Sequence, residues 1–264
     1  MNIVYLIIFF ILGTLFGSFF TVIGLRLPNH EDFIKTRSHC DSCNHELSLL
    51  DMIPILSYVF LKGKCRYCQT KINSLSTYME FFTGVLFSLS FYVFGFSYEL
   101  LIALGIVAML VIISISDLTY FIIPDEVLIF FAIFFIIINL LNNGIQSTAI
   151  SIGSGLLLFG FMYGIMLLGN LLFKKESLGG GDIKLMFVIG LLINPLLGLV
   201  VIFIASMLAL PISLIILMLK KEKLVPFGPY LLISFMFIYF TRLNLPIIIE
   251  FIKSFWKKDW LSFF

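Results

Sequence analysis

Leu178-Gly179-Gly180-Gly181-Asp182-Ile183-Lys184 interrupts two long apolar runs with three glycines, a carboxylate and a lysine. Glycine carries no Cβ, so another helix can approach the backbone closely and positive φ is open to it. A carboxylate at or near a membrane is costly and usually marks function. The plainer reading is a turn in which Asp182 caps the next helix. The rest of the chain decides between the two.

Of 264 residues, 61% are hydrophobic and 12% charged, and the mean hydropathy is +1.12. Soluble domains are nearer half apolar and a quarter charged, so the composition excludes an ordinary soluble domain. It predicts an all-α polytopic membrane protein with seven to eight transmembrane helices. Met1-Asn2 supplies no basic region ahead of the first apolar run, which therefore reads as a retained span rather than a cleaved signal.

A span needs about 20 apolar residues. The first runs from Ile3 to Leu25, with Gly13 and Gly17 at the spacing that allows close helix packing. A polar segment from Arg26 to about Thr77 follows and holds all four cysteines and all three histidines. Further spans are expected at Tyr78–Phe94, Glu99–Ser116, Glu126–Leu141 and Ser147–Phe173. Ile183–Leu219 is long enough for two short spans turning at Asn194-Pro195, and another runs from Pro229 to Phe240. The tail from Pro246, with Phe251, Trp256 and Trp260 beside Lys257 and Lys258, reads as an eighth helix or an interfacial segment. No internal repeat is evident. The expected division is 1–25 first helix, 26–77 cysteine loop and 78–264 membrane domain.

Thirteen of the seventeen basic residues fall on one side of these alternating spans. By the positive-inside rule that side is cytoplasmic and the N-terminus is outside. Asp117 and Asp182 then both fall at cytoplasmic ends of spans.

Cys40-x-x-Cys43 and Cys65-x-x-Cys68, with 21 residues between the pairs, have the spacing of a tetrahedral Zn²⁺ site. Disulfides are the alternative, and a reducing cytoplasm argues against them. His39 and His45 are near enough to replace a thiolate or to lie around the site as polar neighbours. Four protein ligands leave no open coordination position, so the metal is expected to be structural and to fold a loop with little core of its own.

Asp117 closes an apolar run in Ser116-Asp117-Leu118-Thr119-Tyr120, with headgroup-wetted helix end as its plain reading. Asp125 follows Pro124 and reads as a helix start. On one continuous helix, eight residues would place Asp117 and Asp125 about 12 Å apart, too far to share a proton. Asp182 is the expected partner of Asp117. Two apposed carboxylates share a proton, and such a pair activates water against a peptide carbonyl while polarising its oxygen. Asp182 precedes a helix start, where the dipole favours its charged form.

These residues resemble the prepilin peptidases, the type IV leader peptidases of the GxGD class of intramembrane aspartyl proteases. The likeness is carried by Gly17-Ser18-Phe19 through Arg26-Leu27-Pro28 and by the cysteine loop with Asp51-Met52-Ile53-Pro54-Ile55-Leu56-Ser57-Tyr58. Asp117 with Ile123-Pro124-Asp125, then Gly179–Lys184, then Pro226-Phe227-Gly228-Pro229 complete it. Two departures stand out. Thr21 replaces an asparagine, and Leu75-Ser76-Thr77 stands where the family has an Arg-Tyr-Pro run, with Glu80 retained.

The resemblance implies an enzyme of the bacterial cytoplasmic membrane that cleaves the basic leader of prepilins and pseudopilins at the cytoplasmic face. Asp117 and Asp182 correspond to the family's catalytic pair. It also implies zinc in the loop and N-methylation of the new N-terminus with S-adenosylmethionine, an inference that the missing arginine weakens. Glu80 reads equally well as a packing or capping residue. Prepilins and membrane lipid are the expected partners; nucleic acid is not. A transporter or channel using Asp117 and Asp182 as a proton or ion relay is the alternative from another class.

Overall fold

The computed structural model describes residues 3–32, 38–40, 42–48, 50–174, 178–218 and 225–243. Its regular structure is helical: α1 (Ile3–Arg26), α2 (Leu56–Phe60), α3 (Leu75–Phe94), α4 (Tyr98–Tyr120), α5 (Asp125–Phe173), α6 (Gly180–Gly190), α7 (Pro195–Met218) and α8 (Gly228–Phe240). Among the described residues no strand forms, only two isolated β-bridges in the cysteine loop. The expected tail with Phe251, Trp256 and Trp260 lies outside the described residues. The chain divides into two compact units, Met1–Phe131 and Ala132–Phe264.

In the first unit α1 packs on α3 through its glycines. A Cβ added to Gly13 would lie 2.7 Å from the α-carbon of Gly84, and one on Gly17 would lie 2.8 Å from the Thr83 hydroxyl. Such contact needs small residues on both helices. Hydroxyls at this interface satisfy themselves within the helices. Thr21 donates to the Gly17 carbonyl at 2.8 Å, and Thr83 to Met79 at 2.6 Å. Ser88 instead crosses from α3 to the Leu6 carbonyl at 2.6 Å. Thr21 therefore fits a buried position without any partner from a second helix. The apolar faces of α1 away from this interface, including Ile3, Ile7, Ile11 and Leu15, are exposed, as lipid-facing residues are.

Among the described residues five helices are long and apolar enough to cross a membrane, and one of them, Asp125–Leu172, has 48 residues. At 1.5 Å per residue it would be about 72 Å long, more than twice the thickness of a bilayer core. It is in fact a helical hairpin. Gly144 breaks it at φ 76° and ψ 178°, backbone that only glycine adopts readily. Across the break Asn139 Nδ2 donates to Ser151 Oγ at 2.7 Å, residues that an unbroken helix would hold about 18 Å apart. The two expected spans 126–141 and 147–173 are the arms of this hairpin, so α5 supplies two full-length passages.

Elsewhere in the second unit, the expected turn at Asn194-Pro195 separates α6 from α7, and Asn194 Oδ1 accepts from the Leu196 N–H at 2.9 Å. The 11-residue α6 and the 13-residue α8 are shorter than a full crossing.

Candidate functional site

The four cysteines come together. Their Sγ atoms lie within 4.8 Å of one another, and Cys40 and Cys68 are 3.8 Å apart. Two loops of the same design bring them there. In the first, the Cys40 N–H donates to the His45 carbonyl and the Asn44 N–H returns to the Cys40 carbonyl. In the second, Cys65 and Thr70 are joined in the same way, and the Gln69 N–H returns to the Cys65 carbonyl. Asn44 and Gln69, each following the second cysteine of its pair, both take positive φ, at 54° and 59°. A short bridge closes each loop, His39 with Glu46 and Lys64 with Lys71. This is an internal repeat, which the sequence reading missed. Its period is carried by backbone hydrogen bonds, and only the cysteines recur as side chains.

The donor set suits a cation. The Thr70 hydroxyl, 2.7 Å from Cys68 Sγ, and the Thr70 backbone bring that thiol down to about 6. The Ser42 and Cys43 backbone also lowers Cys40. The His45 N–H favours the thiolate of Cys43 too, yet burial and the neighbouring sulfurs of Cys68 and Cys40 push that thiol up to about 11. Negative charge on Cys40 and Cys68 thus opposes ionisation of Cys43, which a bound cation reverses. The four can hold a metal ion. Neither histidine joins them: His45 packs its ring 3.6 Å from that of Tyr67.

Asp51 ties the loop together. Its carboxylate accepts from the Ser48 hydroxyl at 2.6 Å and the Ser48 N–H at 3.1 Å, and pairs with Arg66 Nε at 2.8 Å. These bonds, the Ser48 hydroxyl foremost and the Arg66 charge after it, hold its carboxyl below the usual carboxylate range. The loop meets the membrane helices at Glu80. This carboxyl group on α3 is only 7% exposed and accepts from the Ile55 N–H at 2.8 Å, with the Ser18 hydroxyl of α1 bonded to it as well. Ile55 sits at φ 62° and ψ −52°, where a β-branched residue is strained. Glu80 is therefore a junction of α1, α3 and the loop, a role that sequence spacing did not reveal.

Asp117 lies in the last turn of α4 and is 6% exposed. The helix ends just beyond it at Phe121, whose N–H donates to the Asp117 carbonyl from φ 57°. The Ser116 hydroxyl donates to the Ile122 carbonyl and fixes the turn. Asn29 donates to the Tyr120 hydroxyl at 3.0 Å, anchoring the end of α4 to the segment after α1. Asp125 opens α5 as expected. Because the chain leaves the helix between Asp117 and Asp125, the rise of a continuous helix does not measure their separation.

Asp182 lies in the first turn of α6 and is 8% exposed. Gly179, extended at φ −70° and ψ 136°, precedes the helix. A Cβ there would stand 3.2 Å from Asp182 Oδ2, whereas one on Gly180 would meet nothing within 4 Å. Below Asp182, Ile183, Leu185 and Met186 are buried, and Gly190 packs against Gly155 of the second hairpin arm so closely that a Cβ would lie 2.7 Å from its α-carbon. Asp117 belongs to the first compact unit and Asp182 to the second.

Comparison with known proteins decides the family. Residues 11–94 match the bacterial peptidase A24 N-terminal domain, and residues 103–214 match the type IV leader peptidase family. A prepilin leader peptidase/N-methyltransferase of Bacillus subtilis is 33% identical over 189 residues, 71% of this chain and 73% of its own length. The chain belongs to the prepilin leader peptidase family. A member from Vibrio cholerae is 31% identical over 265 residues, covering 91% of this chain and 98% of its own. One from Neisseria gonorrhoeae is 29% identical over 251 residues, covering 85% and 86%. No solved structure matches. The chain is therefore a peptidase of a prepilin-processing family and a multi-pass membrane protein, and its relatives' names add an N-methyltransferase.

Proposed function

We propose that this prepilin peptidase removes the basic leader of prepilins and pseudopilins with Asp117 and Asp182 as its catalytic pair. One observation carries the reading. Within the region matching the leader peptidase family, each of these two carboxylates is more than nine-tenths buried at a helix end. Buried carboxylates are expensive, and a functional site is where such a cost is tolerated. Asp182 sits at the helix end whose dipole favours a carboxylate, and Asp117 at the end that does not. In this proposal Asp182 takes the proton of the attacking water, and Asp117, protonated, donates to the scissile carbonyl oxygen. The peptidase region is 78–264.

The metal is proposed to be Zn²⁺, held by Cys40, Cys43, Cys65 and Cys68 in a structural role. A tetrahedral Zn–S₄ site with bonds of about 2.3 Å has sulfurs about 3.8 Å apart, the separation found for Cys40 and Cys68. The loop basic residues support a cytoplasmic loop and an outside N-terminus. N-methylation of the processed N-terminus with S-adenosylmethionine is proposed from the relatives' names. Co-expression with a candidate prepilin and mass spectrometry of the product separates the two activities, since leader loss and methyl gain are independent. An uncleaved prepilin contradicts the peptidase reading for that substrate, and a cleaved, unmethylated one contradicts the methylation reading.

A further inference from the structure

The short helix α2 has two unlike faces. Ser57, Tyr58 and Leu61 turn inward and line a space that Glu80 also borders. The other face presents Leu56, Val59 and Phe60, whose i, i+3, i+4 spacing puts three side chains on one side of a helix. All three are more than half exposed, Phe60 at 79%. Clustered apolar exposure of this kind marks a surface that something covers.

The depth of α2 points to the membrane. Glu80, whose carboxylate accepts from the Ile55 N–H, is the sixth residue of α3. At 1.5 Å per residue it lies about 8 Å along that helix. With 20 residues α3 is about 30 Å long, the thickness of a bilayer core, so this point is at or below the headgroups. Leu56 follows Ile55 directly, and α2 therefore begins at the membrane surface. Tyr78 and Phe81, within one turn of Glu80 on α3, are exposed there in the manner of an interfacial aromatic belt.

The charges beside α2 agree. Lys62 and Lys64 follow it, and Lys64 stands opposite Lys71 across an antiparallel bridge. The flanking hydrogen bonds run from the Cys65 N–H to the Thr70 carbonyl and from the Ile72 N–H to the Gly63 carbonyl. They make Lys64 and Lys71 the closely spaced kind of pair, with both side chains on one face. Two ammonium groups so placed repel each other. All three lysines are exposed, and none forms an ion pair among the described residues. An anion beside them relieves the repulsion, whereas a basic peptide would add to it.

We propose that α2 is an interfacial anchor for the cysteine loop. Leu56, Val59 and Phe60 enter the acyl region of the leaflet on the loop's side, and Lys62, Lys64 and Lys71 bind the phosphates of anionic phospholipids there. Ile55 and Glu80 hold the same segment to α3 from within, so protein and bilayer grip it from opposite sides. The proposal does not depend on which residues cleave or methylate the pilin.

The test uses the full-length, metal-loaded protein reconstituted in vesicles of lipid brominated on the acyl chains near the headgroup. Trp256→Phe and Trp260→Phe remove the chain's two tryptophans, and Phe60→Trp supplies a reporter whose emission bromine quenches on contact. The reporter is expected to be quenched in vesicles of mixed phosphatidylglycerol and phosphatidylcholine. Lys62→Gln with Lys71→Gln should cut that quenching about twofold or more, to the level seen in phosphatidylcholine alone. Val59→Trp gives a second reporter on the same face should Phe60→Trp not fold. A reporter that bromine leaves bright and that iodide quenches from the buffer overturns the proposal and leaves this face for a protein partner. Quenching by bromine that is equal in the two lipids and indifferent to the lysine substitutions overturns it too, since the lysines then bind no headgroup.

Discussion

Cys40 Sγ and Cys68 Sγ, 28 residues apart in the chain, stand 3.8 Å from each other. Each belongs to one of two loops of matching backbone hydrogen bonding, and the four sulfurs they bring together can hold a shared ion. Purified protein is expected to carry one zinc per chain by elemental analysis. Cys65→Ser, at the buried cysteine of the four, should lose it and render residues 38–72 sensitive to limited proteolysis while the membrane helices keep their helical signal. Metal-free protein with a disulfide between these cysteines contradicts the assignment.

The loop should also answer to acid through Asp51. Its native carboxyl is held low, by Ser48 first and Arg66 among the others, whereas an unfolded aspartate titrates near 3.9. A depressed native value contributes stability that is fully present above the unfolded value and is lost as pH falls through the native one. Asp51→Asn is therefore expected to exchange loop amide hydrogens faster than wild type at neutral pH. The difference should close only below about pH 4. A gap that is absent at neutral pH, or widens in acid, counts against the role of this carboxylate.

Helix packing in the first unit makes a sharper stability prediction. Gly13→Leu drives a side chain into the backbone of α3, where even a Cβ lies 2.7 Å from Gly84. It should cost about 1–3 kcal/mol or more, read as a lower melting temperature in detergent. Gly160→Leu, at a position with nothing within 4 Å, should leave melting nearly unchanged. Equal effects would mean that α1 and α3 do not pack as described.

Much of this was legible in the chain itself. Hydropathy located the spans, the glycine spacing in α1 predicted close packing, and the Cys-x-x-Cys pairs predicted their own convergence. Residues that act through the backbone were harder to read. Gly144 makes the hairpin tip directly after Asn142 and Asn143; the polar stretch showed that the spans part here, but not that one glycine makes the turn. Glu80 serves the Ile55 N–H, 25 residues away, and no side-chain pattern encodes a backbone donor at positive φ. The helix-rise comparison of Asp117 with Asp125 failed for a related reason: Phe121, an ordinary aromatic, ends α4 from the left-handed region.

Two adjacent glycines before Asp182 should behave differently. Gly179→Ala places a methyl 3.2 Å from Asp182 Oδ2, while Gly180→Ala enters open space. If Asp182 is catalytic, the first substitution should slow prepilin cleavage by about tenfold or more through a displaced carboxylate, and the second should cost little. Matching rates for both would show that the space beside Asp182 is not used.

The most direct test of the account is the cleavage rate of a cognate prepilin by wild type, Asp117→Asn and Asp182→Asn in reconstituted membranes, with zinc content and melting measured on the same samples. Both variants are expected to fall by about a thousandfold or more while zinc and melting stay at wild-type values. Cleavage near the wild-type rate by either folded variant would contradict the two-aspartate mechanism.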